Sequence, residues 1–381
     1  MKKAKILSCI IIIPLLLTSC WNYREADNLT LVRGFTVDKT EDGGYLLSSE
    51  TADMHESGKE GSAKSVIIES RGKTLFEAVR NALMVNVPKL YWAHTSVCII
   101  SQQLAQEGVT QVLDFLSRDH ETRLDMHPVI YKGNEAREVF EAKPLTTELV
   151  TEELRDMIYD QKGSSKAMHV QIYEFIENVS NEGISAVMPA ICLTEVKGEK
   201  TIRLCGTAVF REDKLIGYLD EDETKYLSFV LDVVEGGVLV VNVGSEGGND
   251  KVTLEILNSK TKIKPKYEEG KITIEMKIKI RTVLDDVVTR IQFCHENELK
   301  ALSKTAGEQL KGNILELIKK AQNSGADIFG FGLLIKRNIP KLWKEMGKDW
   351  DKHFKEVEAE IIPEIEIVHT GLLKKTLKIG D

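Results

Sequence analysis

No CxxC pair occurs anywhere in the chain, and six cysteines in 381 residues are too few for a disulfide scaffold. Zinc ribbons and thioredoxin-type redox centres thereby lose their usual ligands. An excess of positive charge is missing too. Lys and Arg number 51 against 59 Asp and Glu, a formal charge of −8, which argues against a dedicated nucleic-acid binder. Beyond the first twenty residues no apolar run approaches the roughly 20 residues a membrane-spanning helix needs. There is no GxSxG elbow, so the common esterase nucleophile is lacking, although a triad assembled from distant residues stays open.

Other familiar spacings begin and then break. Gly72-Lys73-Thr74 ends like a phosphate-binding loop, but Ile67 stands where its first glycine belongs, and a helix start is the better reading. Gly330-Phe331-Gly332 runs on to Ile335 where a dinucleotide fingerprint wants glycine, which leaves a tight turn. His55-Glu56, His120-Glu121 and His295-Glu296 all lack the second histidine of a helical zinc-protease site. His94 has no local metal partner, and a buried, hydrogen-bonded histidine is expected there. Asp220 to Glu223 would open a calcium loop only if Lys225 were glycine; acids at a helix start suit its dipole. Trp343 and Trp350, among Lys341, Lys344 and Lys348, fit either a membrane-surface or partner-binding helix or, more simply, core packing with solvated lysines. No metal and no cofactor is assigned.

What is present begins at the N-terminus. Lys2, Lys3 and Lys5 precede an apolar run from Ile6 to Leu17, the pattern of a secretory signal. Leu17-Thr18-Ser19-Cys20 resembles the lipobox of bacterial lipoproteins, with small residues where the peptidase approaches and a thiol to take the lipid. Cys20 is the expected lipidation site, and two acyl chains there would anchor durably where one would not. An ordinary signal peptide with a chance cysteine is the alternative. Removing residues 1–19 deletes three lysines and leaves 362 residues with a formal charge of −11.

The rest reads as a folded chain, with 42% hydrophobic and 29% charged residues, long enough for two or three domains. Strand-like runs at Leu29–Asp38 and Tyr45–Met54 flank a turn at Glu41 to Gly44, and Val66 to Ile68 begins another strand. Thr74 and Glu77 stand at capping-box spacing before Leu75, Phe76, Val79 and Leu83, an apolar helical stripe. Val97–Ile100 reads as a buried strand, and Val112–Leu116, Glu148–Tyr159 and Ala167–Val179 as helical. Hairpins turn at Gly198-Glu199 and Glu212-Asp213, a helix follows over Glu223–Glu235, and a glycine-rich loop lies at Gly244–Gly248. Ile272, Ile274, Met276, Ile278 and Ile280 alternate with polar residues, the period of a strand with one wet face. Leu310, Ile314, Leu317, Ile318 and Ala321 share one face of a helix over Glu296–Ala321, expected to pack across that sheet.

These elements imply an α+β fold with mixed or antiparallel sheets and packed helices. The expected division is a signal peptide at 1–19, an N-terminal α+β domain at 20–195, a small middle domain at 196–248 and a C-terminal α+β domain at 249–381. A two-residue turn at Gly198-Glu199 would pair Lys197 with Lys200 and set Cys192 opposite Cys205. Those cysteines would be neighbours on one sheet face, as packed free thiols or as a disulfide.

Cys20-Trp21-Asn22-Tyr23-Arg24-Glu25 after the lipobox resembles the start of mature Ger(x)C proteins, the lipoprotein C subunits of bacterial spore germinant receptors. The resemblance continues through Arg33-Gly34 with Asp38, the run from Arg71 to Ala78 with Arg80-Asn81, and Phe115 to Asp119. It resumes at Gly206 to Phe210 with Asp213-Lys214-Leu215 and Gly217, and at Asp327 to Gly332 with Pro340, Trp343, Trp350 and Phe354. The resemblance implies a non-catalytic lipoprotein on the outer face of the spore inner membrane. Its partners would be a multi-spanning A subunit and a transporter-like B subunit. It carries over no ligand-binding residues, so those are unknown. A solute-binding lipoprotein of an importer is the alternative, and it would need two α/β lobes around a ligand cleft.

Overall fold

The computed structural model describes residues 29–53, 64–86, 89–244, 250–289 and 295–369. The signal segment, Cys20 and most of the glycine-rich loop at 244–248 lie outside the described residues. The first sheet opens with β1 (Leu29–Lys39) and β2 (Tyr45–Asp53), antiparallel across a turn in which Gly43 takes φ +83°. β3 (Lys64–Gly72) pairs antiparallel with β2 and forms one edge, and the short β4 (Lys89–Tyr91) runs parallel to the start of β1. On the other flank of β1 come the parallel strands β5 (Val97–Ser101), β6 (His127–Tyr131) and β7 (Val187–Val196). β8 (Glu199–Arg211) and β9 (Lys214–Leu219) complete the sheet as antiparallel hairpins.

β5 explains why a continuous apolar run reads as a strand: both its faces are covered. Helix α1 (Leu75–Asn81) lies along β3, while α2 (Gln102–Glu107) and α3 (Thr110–Arg118) share a core with Cys98 and Ile100. Val97 and Ile99 face the opposite way, into the core of α4 (Val150–Tyr159). Gly34 on β1 permits the approach of α4, because a Cβ there would lie 2.5 Å from Thr151 Cγ2. Helix α5 (Ile172–Ser180) joins the first of these two cores through Ile172 and Phe175.

After α6 (Glu221–Val230) the chain builds a second sheet from β10 (Val238–Asn242), β11 (Lys251–Glu268) and β12 (Lys271–Val288). The predicted alternation holds: Ile272, Ile274, Met276, Ile278 and Ile280 are all buried, with charged neighbours on the wet face. Helix α7 (Glu296–Ser324) lays the predicted Leu310, Ile314, Leu317, Ile318 and Ala321 on that buried face, and Gly325 ends it in the left-handed conformation at φ +68°. Short helices α8 (Phe331–Asn338), α9 (Pro340–Met346) and α10 (Trp350–Phe354) follow, and β13 (Glu358–His369) returns parallel to β12. Pro363 is tolerated there because, among the described strands, β13 pairs with β12 alone and is an edge.

The α+β architecture with mixed sheets is therefore as expected. Several local readings change. The turn between β7 and β8 is Lys197-Gly198, with both residues at positive φ (53° and 83°), so Val196 pairs with Glu199 and Cys192 with Arg203. Glycine occupies the second central position of this turn, whereas the expected register had put it first. Cys205, two residues beyond Arg203, is the diagonal neighbour of Cys192 on the same face; both are free, and burial with the neighbouring Cys192 thiol pushes the Cys205 thiol up. The expected hairpin at Glu212-Asp213 is present, with Arg211 opposite Lys214. Helix α6 stops at Val230, short of the expected Glu235, and α5 starts at Ile172, later than the expected Ala167. The division expected at 195/196 falls beside the β7–β8 turn, whose two strands belong to one sheet running on to Leu219.

Candidate functional site

Four acidic side chains do the same job: each accepts backbone N–H groups at a helix start, three of them about a hundred residues away in sequence and the fourth, Asp327, at the helix that follows it directly. Asp38 on β1 accepts from Ala136 N (2.6 Å) and Arg137 N (3.0 Å), which open the 3₁₀ helix Ala136–Glu141. Glu50 on β2 accepts from Val150 N, Thr151 N and Thr151 Oγ1 at the start of α4. Asp213 accepts from Thr110 N and Thr110 Oγ1 at the start of α3. Asp327 accepts from Phe331 N (3.1 Å), Gly332 N (2.8 Å) and Trp350 Nε1 (2.9 Å). Unpaired N–H groups and the helix dipole both favour a carboxylate at these places.

Burial pushes the Asp38 and Asp327 carboxyls up to about 6, against the lowering effect of their N–H donors. Perturbed carboxyls of this kind often mark catalytic sites. Here each is satisfied by structural donors. The reading of Gly330-Phe331-Gly332 follows from this arrangement: Gly330, at φ +70°, precedes α8, and the Asp327 carboxylate occupies the helix start where a dinucleotide would put its phosphate. A Cβ on Gly332 would come within 2.6 Å of both Gly183 Cα and Trp350 Nε1.

An apolar cleft lies between α1 and α3. Its volume is about 510 Å³, and Tyr45 forms part of its lining from the start of β2. One wall is the Lys73-Thr74-Leu75-Phe76 run. Thr74 caps α1 by accepting from Glu77 N at 3.2 Å, and Glu77 Oε2 accepts from Lys73 N at 2.7 Å, so the predicted helix start is correct. Gly72 is needed for this turn, since a Cβ would lie 2.4 Å from Ala78 N. The facing wall is Phe115, Arg118 and Asp119, with Arg118 Nε held by both oxygens of Asp114. The Tyr45 hydroxyl donates to Gln111 across the floor. Phe76 is 49% exposed at the cleft, with the Arg80 guanidinium 4.6 Å from its ring centroid. A polar cleft of about 620 Å³, lined by Asp38, Arg71, Glu135 and Arg137, adjoins it at Lys73.

The Thr110 hydroxyl at the cleft is taken up by Asp213 in capping α3, and among the described residues no three His, Cys, Asp or Glu side chains converge as a metal site. The apolar walls and charged rim of the cleft suit the docking of an apolar group. His94 is exposed and tilted against Tyr91, which corrects the buried histidine expected there. Among the described histidines the buried one is His127, whose Nδ1 lies 2.8 Å from Val170 O; burial pushes its pKa down. Trp343 and Trp350 are both buried, so core packing is the correct reading and a membrane-surface helix is not. Asp220 accepts from Asp222 N and Glu223 N as a helix cap. Two readings made separately from the sequence, the helix start at Thr74 and the helix over Val112–Leu116, come together as the cleft walls. The exposure of Phe76 was not foreseeable, because it sits on the same apolar stripe as buried Leu75 and Val79.

Comparison with known proteins covers nearly the whole chain. Residues 22–193 match the family model for the spore germination protein N-terminal domain, and residues 205–371 match that for spore germination B3/GerAC like, C-terminal. Spore germination protein KC of Bacillus subtilis is 25% identical, over 96% of this chain and 95% of its own. Spore germination protein B3 of the same organism is 27% identical, over 98% and 100%. The crystal structure of the GerBC protein superposes with a TM-score of 0.59 at 24% identity, covering 88% of this chain and 97% of that one.

Proposed function

Since the chain belongs to the Ger(x)C family of spore germination proteins, we propose that it is a non-catalytic, lipid-anchored subunit of a nutrient germinant receptor. Cys20 carries the diacylglyceryl anchor, and the folded part stands on the outer face of the spore inner membrane. There it assembles with, or couples to, the membrane A and B subunits that the family resemblance implies. The observation that carries this reading is the α1–α3 cleft. Two of the sequence blocks that resemble the family, Arg71–Ala78 and Phe115–Asp119, meet in space to form it, which supports a surface for contact.

Other resembling blocks have structural work that accounts for them: Asp38, Asp213 and Asp327 cap helices, and Gly206, at φ +90°, lies so close to β9 that a Cβ would be 2.1 Å from Leu219 O. The cleft residues Lys73, Phe76 and Arg118 cap nothing of that kind, which leaves recognition as their role. The importer alternative would put a ligand between two α/β lobes, and this cleft lies instead on one flank of a single mixed sheet. Deleting the gene tests the proposal. Loss of the response to one nutrient class with normal spore formation is expected, and defective spore assembly with an intact nutrient response would overturn it.

A further inference from the structure

A cluster of apolar side chains faces solvent at one end of the first sheet. Met84 is 81% exposed, Val85 68%, Leu83 43% and Val66 37%. Singly such residues are ordinary on a surface, but three in succession at one tip are a patch. The stretch Asn81-Ala82-Leu83-Met84-Val85-Asn86 carries no charge, in a chain where 29% of residues do. Only Ala82 of the 3₁₀ turn Ala82–Met84 is buried.

The topology places this tip where the chain arrives from its N-terminus. β1 and β3 are both antiparallel to β2, so both begin at the same end of the sheet. α1 then runs back along β3 and delivers Leu83 to Val85 to that end. Val66 lies two residues before Ile68 on β3, on the face that α1 covers. Immediately after the tip, Asn86 Nδ2 donates to Thr30 Oγ1 at 3.3 Å, and Lys89 of β4 pairs in parallel with Leu29, the first residue of β1. Nine peptide links separate Cys20 from Leu29, a span of at most ~30 Å when fully extended. A lipid-bearing Cys20 would therefore confine the tip to the neighbourhood of the bilayer surface.

We propose that Leu83, Met84 and Val85, with Val66 beside them, insert into the lipid surface that holds this chain. The inference rests on the lipid anchor at Cys20 proposed above. Apolar side chains at such a surface bury roughly 5–10 Å into the headgroup and acyl boundary. The tip and the acyl chains are then two points of attachment, which set the tilt of the sheet as a single one cannot. The cleft wall at Phe76 stands roughly 13 Å from Met84, the rise of α1 and the 3₁₀ turn that follows it, so the cleft lies just above the inserted tip.

The full lipidated chain tests this in vesicles of phosphatidylcholine and phosphatidylglycerol containing doxyl-labelled lipid. An environment-sensitive fluorophore is attached to Met84→Cys or, at the β1–β2 turn on the opposite end, to Glu41→Cys; both positions are exposed, and the signal of the unsubstituted chain is subtracted. Severalfold quenching at position 84 with little at 41 is expected. Equal quenching at the two sites, or none at 84 in a chain that sediments with the vesicles and carries acyl groups, overturns the insertion and leaves the anchor standing. A chain without acyl groups that fails to sediment overturns the anchor, and the insertion with it. Shielding of position 84 in spore membranes but not in vesicles assigns the tip to a protein partner, which also overturns the proposal.

Discussion

Replacing Asp327 by Asn should change how stability depends on pH in a direction the structure dictates. The carboxylate is buried, its Oδ1 takes the Phe331 N–H, and its Oδ2 takes both the Gly332 N–H and the Trp350 indole N–H. An asparagine can offer one oxygen only, so its NH₂ faces at least one of these donors. Leaving a buried donor unsatisfied costs about 1–3 kcal/mol, and this loss should be visible at neutral pH. The second effect is linkage. Burial raises the folded pKa of Asp327 from 3.8 to about 6, so the native state binds the proton more tightly than the unfolded chain does. The group therefore contributes stability below about pH 4 that is lost as pH rises through about 6. Asparagine does not titrate. The penalty of Asp327→Asn should thus be larger at pH 4.5 than at pH 7, by about 2 kcal/mol from the linkage relation. Asp38 titrates in the same window and remains in both proteins, so the difference between wild type and variant isolates Asp327. Urea unfolding followed by tryptophan fluorescence measures it, with Trp350 inside the network as a local reporter. A penalty that is equal at both pH values, or smaller at pH 4.5, would refute the reasoning.

Three other outcomes follow from the same structure. Cys20→Ala should abolish acyl labelling and weaken membrane retention, and unchanged labelling with equal membrane recovery would contradict the anchor. Phe76→Ser removes an aromatic ring that is 49% exposed at the cleft, so the fold should lose under about 1 kcal/mol; the nutrient response of spores should fall while the amount of protein by immunoblot stays constant. Mild oxidation should couple Cys192 to Cys205 and leave Cys98 untouched, because Cys98 is fully buried and its thiol is pushed up by burial alone; peptide mapping that finds Cys98 in a bridge would contradict this packing.

The parts of the fold that could be read from the sequence are those whose periodicity survives in a single segment. The alternation at Ile272 to Ile280 and the stripe at Leu310 to Ala321 are one-face patterns, and each turned out to face the other. β6 and β13 were not anticipated. His127–Tyr131 is short and apolar on both faces, and Glu358–His369 carries Pro363, which reads as a strand breaker until the strand is known to be an edge. The β7–β8 register was misread by the choice between two turn types that both use glycine, a matter of which central position it takes. The framework acids were invisible in a different way. Asp38 and Asp213 bind helix starts about a hundred residues away in sequence, so no local spacing announces them. The cleft was half legible: its walls resemble family blocks, and only the fold brings them together.

Photo-crosslinking from Lys73, at the rim of the α1–α3 cleft, in membranes of intact spores tests the receptor reading most directly. Covalent recovery of the A or B membrane subunit through that position, lost when Phe76 is replaced by Ser, is the predicted result. A chain that is membrane-bound and folded but crosslinks only to the channel subunits of an importer, or to no protein at all, would contradict it.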